Sequence, residues 1–124
     1  MEKKRHKFDL EERLVAFACT YLDVCDLLPN TKAGQNLGYQ LSKSGTAAAL
    51  VYGEAQAAES PADFVHKIKV VLKEIRETRI NLMIIIRKPV IVNEKVDRAL
   101  NEANQLMAIF LTSIATAKSN NRLK

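Results

Sequence analysis

Residues 60–86, SPADFVHKIKVVLKEIRETRINLMIII, read as one helix from the first residue onward. Ser60 offers a side-chain oxygen to the backbone N–H groups left over at a helix start. Pro61 has no N–H to lose, and its fixed φ suits the first turn. Asp63 sets negative charge near the positive end of the helix dipole. Behind this start, Phe64, Ile68, Val71, Ile75, Thr78, Leu82 and Ile85 recur in steps of three and four. Such steps return to one face of an α-helix, and all but Thr78 are apolar. Pro89 stops the run, because it cannot continue the hydrogen-bond ladder.

The same spacing extends outward on both sides. Downstream, Asn93 caps a segment with the stripe Val96, Ala99, Ala103, Leu106, Phe110, Ser113 and Ala117. Upstream, Thr31 precedes the stripe Leu37, Leu41, Ser44, Ala48, Val51, Ala55 and Ala58. The first stripe is Leu10, Leu14, Phe17, Tyr21, Val24 and Leu28, ended by Pro29 and Asn30. No clear strand pattern is present. Four long amphipathic segments with short breaks predict an all-α protein, an up-down-up-down antiparallel four-helix bundle. The expected organisation is one domain over 1–124, with short basic tails at about 1–7 and 119–124 and fraying from Ser119 onward. Leu14, Phe17, Leu41, Ile68, Val71, Leu82, Leu106 and Phe110 are the predicted heart of the core.

A chain of 124 residues with 48% apolar and 27% charged residues has an ordinary globular balance, which excludes disorder throughout. No apolar stretch of signal-peptide length follows the basic start. The longest uncharged run, residues 103–117, is too short and too polar to span a bilayer. A cytoplasmic protein with no membrane partner is expected. Cys19 and Cys25 lie six residues apart on one helix, about 9 Å between Cα atoms, which is beyond disulfide reach. They read as small apolar fillers.

Chemistry finds little to use. His6 and His66 are the only histidines, and no His/Cys cluster has ligand spacing, so no metal or other cofactor is expected. There is no Gly-rich phosphate loop, no HExxH and no nucleophile elbow. Ser44 and Thr78 sit in core stripes, where a hydroxyl usually bonds back to its own helix. His66 reads as solvent-facing. The expectation is that the protein is not an enzyme and has no small-molecule substrate.

Surface features point to interaction instead. The formal charge is +5, and its distribution is uneven. Lys3, Lys4, Arg5 and Lys7 crowd one end of the chain, and Lys118, Arg122 and Lys124 the other. An up-down-up-down bundle brings these two ends together. Lys69, Lys73, Arg76 and Arg87 share one outer sector of the third helix, a ladder able to track phosphates. The plainer reading is a solvated face with local pairs such as Lys73 with Glu77. All four glycines fall in the second helix. Gly34, Gly38 and Gly45, with Ser42 and Ala49, form a flat sector that invites close approach by a neighbouring helix, either of the same bundle or of another subunit. Extra apolar residues beside the main stripes (Val15, Leu22, Ile80, Met83, Ile84, Leu100, Met107, Leu111) suggest association with further copies.

One stretch also resembles a known family. Leu37-x-x-Gln40-Leu41-x-Lys43-Ser44-Gly45-Thr46, Gly53-Glu54-Ala55, residues 59–68 and Leu72-Lys73-Glu74-x-x-Glu77-Thr78 are similar to bacterial four-helix-bundle proteins encoded in intervening sequences of 23S ribosomal RNA genes. The resemblance covers about residues 10–117. It implies a ring-shaped homo-oligomer, with a pentamer as the expected number. A distant branch comprises accessory proteins of diversity-generating retroelements, which bind nucleic acid through a basic barrel. Where family members often carry an aromatic after Glu-x-x-Glu-Thr, this chain has Ile80 and Asn81. Two functional readings follow: a non-enzymatic oligomer that associates with RNA or DNA through basic surface, or a protein–protein interaction scaffold that binds no nucleic acid.

Overall fold

A computed structural model describes residues 9–123, with side chains through residue 120. Four helices follow in order: α1 (Leu10–Leu27), α2 (Lys32–Gln56), α3 (Pro61–Arg87) and α4 (Glu94–Leu123). Each begins where a side-chain oxygen meets an orphan N–H. Asp9 accepts from Glu12, Thr31 from Gly34 and Ser60 from Asp63. Asn93 accepts from the Lys95 N–H at 2.9 Å. Pro61 occupies the first turn of α3, as its fixed φ favours.

The helices form an up-down-up-down antiparallel bundle. α2 packs on α1, α3 on α2 and α4 on α3, while α4 closes back on α1 through much sparser contact. α1 and α3 therefore stand diagonally opposite and run in the same direction. The interior is the set of stripes read from the sequence. Leu14, Phe17, Tyr21 and Val24 face Leu41, Ala48, Ile68, Val71, Ile75, Leu82, Leu106 and Phe110, all buried. Leu72 joins this core although it lies beside the main α3 stripe. Leu10, Leu28, Val51 and Phe64 are only half-buried, at the rims.

Two polar residues are buried in this core, and they meet each other. Ser44 Oγ and Thr78 Oγ1 are 2.8 Å apart. Thr78 also donates to the Glu74 carbonyl, and Ser44 lies 3.1 Å from the Gln40 carbonyl. Two hydroxyls carry two protons: with Thr78 donating to its own helix, Ser44 is left to donate either to Thr78 or to Gln40. The Tyr21 ring packs on Phe17, centroids 3.8 Å apart, and lies against Gly45. Its hydroxyl is buried and has no hydrogen-bond partner among the described residues. Burial, with a smaller contribution from the charge of Glu102, pushes this phenol far above its ordinary pKa.

Three expectations change. Cys19 is exposed on the outer face of α1 and fills no core space; only Cys25 is half-buried, with its thiol 3.4 Å from the Gly38 carbonyl. Ala58 lies in the α2–α3 turn, past the last helical residue Gln56. α4 continues through Leu123 instead of fraying from Ser119, since no glycine or proline interrupts it.

Leu41→Ala and Ile68→Ala are each expected to destabilise the bundle by about 2–5 kcal/mol in chemical denaturation, because both sites are sealed. Gly45→Ala and Gly53→Ala are expected to differ in sign. A Cβ at Gly45 overlaps the Tyr21 ring, whereas one at Gly53 meets nothing. Gly53→Ala thus keeps the helix-propensity gain of about 0.5–1 kcal/mol, and Gly45→Ala lowers the melting temperature. Tyr21→Phe removes an orphan hydroxyl and is expected to leave the melting temperature equal or higher.

Candidate functional site

The outer face of α3 carries the basic ladder singled out above. Lys69, Lys73, Arg76 and Arg87 are all exposed and share one sector of the helix. Lys73 is engaged locally, 3.5 Å from Glu77 and 3.7 Å from Glu74. Lys69, Arg76 and Arg87 form no ion pair among the described residues. The ladder is interrupted by apolar side chains that sequence periodicity places on the same face. Ile80 is 53% exposed and Ile84 46%. With Met83, Arg87 and Lys88 they line an open groove of ≈ 410 Å³. The face is therefore basic at both ends and apolar in the middle.

The outer face of α1 has the same layout with the opposite sign. Glu11 and Glu12 stand in its first turn, and Asp23 and Asp26 near its end, all exposed. Between them Val15 is 46% exposed and Leu22 42%, with exposed Cys19 alongside. The one base of α1, Arg13, is turned aside to α4. Its Nε lies 2.7 Å from Glu102 Oε2, its Nη2 3.0 Å from Oε1, and the same Nη2 2.8 Å from Gln105. This forked pair raises the guanidinium pKa further, against a smaller lowering by burial. The sequence reading noted Val15 and Leu22 as surplus apolar residues but missed the acids that frame them. Marking exposed positions on the helical wheel by sign of charge reveals them.

The small-residue sector of α2 faces the α1 side of the bundle. A side chain on Gly34 overlaps the Pro29 carbonyl, one on Gly38 meets Leu28 at 3.5 Å, and one on Gly45 overlaps Tyr21. These glycines serve close packing within the chain. Ser42 and Ala49 are half-buried; Ser42 donates to the Tyr39 carbonyl, and Ala49 packs against the core.

The basic chain ends are only partly within view. Lys3, Lys4, Arg5, Lys7 and Lys124 lie outside the described residues, as does the side chain of Arg122. Lys118 is exposed on α4 and has interactions of its own. The start of α1, the α2–α3 turn and the end of α4 share one end of the bundle. Its described part is acidic in character, with Asp9, Glu11, Glu12, Glu54, Glu59 and Asp63. Lys67 bridges Glu54 at 3.7 Å and Asp63 at 3.8 Å there.

Reactive groups are few. Burial, then the charge of Asp26, pushes the Cys25 thiol up, so it stays protonated at neutral pH. No group of three or more His, Cys, Asp or Glu side chains is placed to hold a metal among the described residues. His66 is exposed. No described helix is long and apolar enough to cross a membrane.

No protein-family profile matches the chain, and neither does any curated protein. Among solved structures it is similar to a protein of unknown function from the S23 ribosomal protein family of Bacteroides thetaiotaomicron VPI-5482. The two share 27% identity and superpose with a TM-score of 0.78, over 85% of this chain and 97% of that one. This similarity supports a related family, and the structure it rests on is itself of a protein of unknown function.

Proposed function

We propose that the protein is a non-enzymatic, oligomeric helical bundle that associates with RNA or DNA through its basic surface. The reading is carried by topology: α1 begins and α4 ends at the same end of the bundle. The sequence joins Lys3, Lys4, Arg5 and Lys7 to the first turn of α1, and Lys118, Arg122 and Lys124 to the last turns of α4. In a cyclic homo-oligomer every copy points the same way along the axis. Such a ring, a pentamer by the resemblance described above, collects the basic ends of all copies on one rim.

A rim of this kind reads charge. Phosphates meet it through Lys and Arg, and each neutralised phosphate releases condensed counterions. Among the described residues the surface offers no aromatic ladder for stacking bases, so weak sequence preference is expected. The acids on the same end offset part of the basic charge and favour a bound polyanion contacting the chain termini over the helix ends.

The test is a titration of labelled single- and double-stranded RNA and DNA at low and physiological salt. The full chain is compared with one lacking residues 1–7 and 119–124. Expected are micromolar binding at low salt, a steep linear loss of log K with log salt, and at least tenfold weakening on removal of both tails. Absence of binding at low salt would remove the nucleic-acid reading and favour a protein scaffold. Binding indifferent to tail removal would move the contact to the α3 ladder of Lys69, Lys73, Arg76 and Arg87.

A further inference from the structure

We infer that the outer face of α1 in one copy docks on the outer face of α3 in the next, so that a single head-to-tail contact builds the homo-oligomer. The inference rests on the oligomeric part of the function proposed above and names the surface that would carry it. Each face has an exposed apolar centre flanked by charge. On α1 the centre is Val15, Cys19 and Leu22 between Glu11/Glu12 and Asp23/Asp26. On α3 it is exposed Ile80 and Ile84 with half-buried Met83, between Lys69/Lys73/Arg76 and Arg87/Lys88, with exposed Glu77 paired to Lys73.

The complementarity extends to height along the bundle. Tyr21 lies against Gly45, and Ser44 bonds Thr78, so residue 21 of α1 and residue 78 of α3 stand about level. The two helices run in the same direction, and both rise about 1.5 Å per residue. Glu12 is then level with Lys69, and the apolar centres overlap where Leu22 is level with Ile80; Val15 and Cys19 are level with Leu72 and Arg76, and Asp26 lies within about one turn of Arg87. Copies in a ring are related by rotation about the axis with no rise along it. Groups at one height in a protomer therefore meet across the contact when that axis follows the bundle. Because α1 and α3 are diagonal, the two faces point away from each other on one protomer. A protomer cannot satisfy its own faces, and its neighbours can. A contact of this kind is heterologous, the class that gives a closed ring when its rotation closes and an open filament when it does not.

Two isolated like-signed faces would repel instead, and like-charge juxtaposition is the tool that tests the pairing. One variant carries Glu12→Lys, Asp23→Lys and Asp26→Lys. A second carries Lys69→Glu, Arg76→Glu and Arg87→Glu. A third combines all six, which swaps the signs of both faces. Light scattering and sedimentation at micromolar concentration, with far-UV circular dichroism to check folding, give the readout. The expected result is that each three-site variant falls to the 13.9 kDa protomer while the six-site chain regains the mass of the unmodified oligomer. Ile84→Asp, which leaves every charge partner in place, is expected to dissociate the oligomer as well.

Three results would overturn the inference, and they differ in reach. An unmodified chain that sediments as a protomer would remove the oligomeric reading with it. An oligomer whose mass survives both three-site reversals and Ile84→Asp would reject this contact alone. Unchanged mass with loss of RNA or DNA binding in the Lys69/Arg76/Arg87 variant would assign the α3 face to nucleic acid.

Discussion

The position of α1 depends on an aromatic ring lying where a side chain is missing. α1 meets α4 only sparsely, so its seam with α2 fixes where it stands. In that seam the Tyr21 ring lies against Gly45, braced from behind by Phe17. Glycine within a helix costs about 1 kcal/mol relative to alanine. The close approach offsets that cost by letting a large ring reach full burial. The seam also decides which residues of α1 remain outside, and those residues form the acidic face.

The α1–α4 side is held differently. Phe17 and Ala99 line a cleft there, and the polar contact between the two helices is the fork of Arg13 on Glu102, supported by Gln105. Arg13 is thereby withdrawn from the outer surface, and the exposed charge of α1 is left uniformly negative. On α3 the corresponding selection is incomplete: Lys73 is neutralised by glutamates of its own helix, and Lys69, Arg76 and Arg87 are not. Local pairing within the protomer thus shapes what each face presents to another molecule.

Most of the fold was legible in the sequence because burial follows the three- and four-residue spacing. Ile68, Val71, Ile75, Leu82, Val96, Ala103, Leu106 and Phe110 are inside for that reason. Thr31, Ser60 and Asn93 were legible as caps because their oxygens suit orphan N–H groups. Leu72 was missed because α3 is covered on two sides, by α2 and by α4, which widens its buried sector beyond one stripe. Cys19 was misplaced because composition says only that cysteines tend to be buried, whereas its angle on the wheel sets it opposite Tyr21. The candidate surfaces were less legible. A charge ladder on α3 could be read from one helix alone, but its counterpart requires knowing that α1 and α3 are diagonal and level. Neither fact is contained in any single segment.

The hydroxyl pair of Ser44 and Thr78 has a consequence for uniformity. Stripes of leucine, isoleucine and alanine repeat every three or four residues, so an all-apolar seam between α2 and α3 would fit almost as well after sliding by one turn. A slide of that size sets Ser44 opposite Leu82 or Glu74, and strips Thr78 of its partner across the seam. The buried polar atoms then lose a bond that water is not there to replace. One small polar tie in an otherwise greasy zipper leaves a single tooth-for-tooth alignment. Every protomer is consequently cut to the same height, and repeating units of identical height can be set side by side without a step.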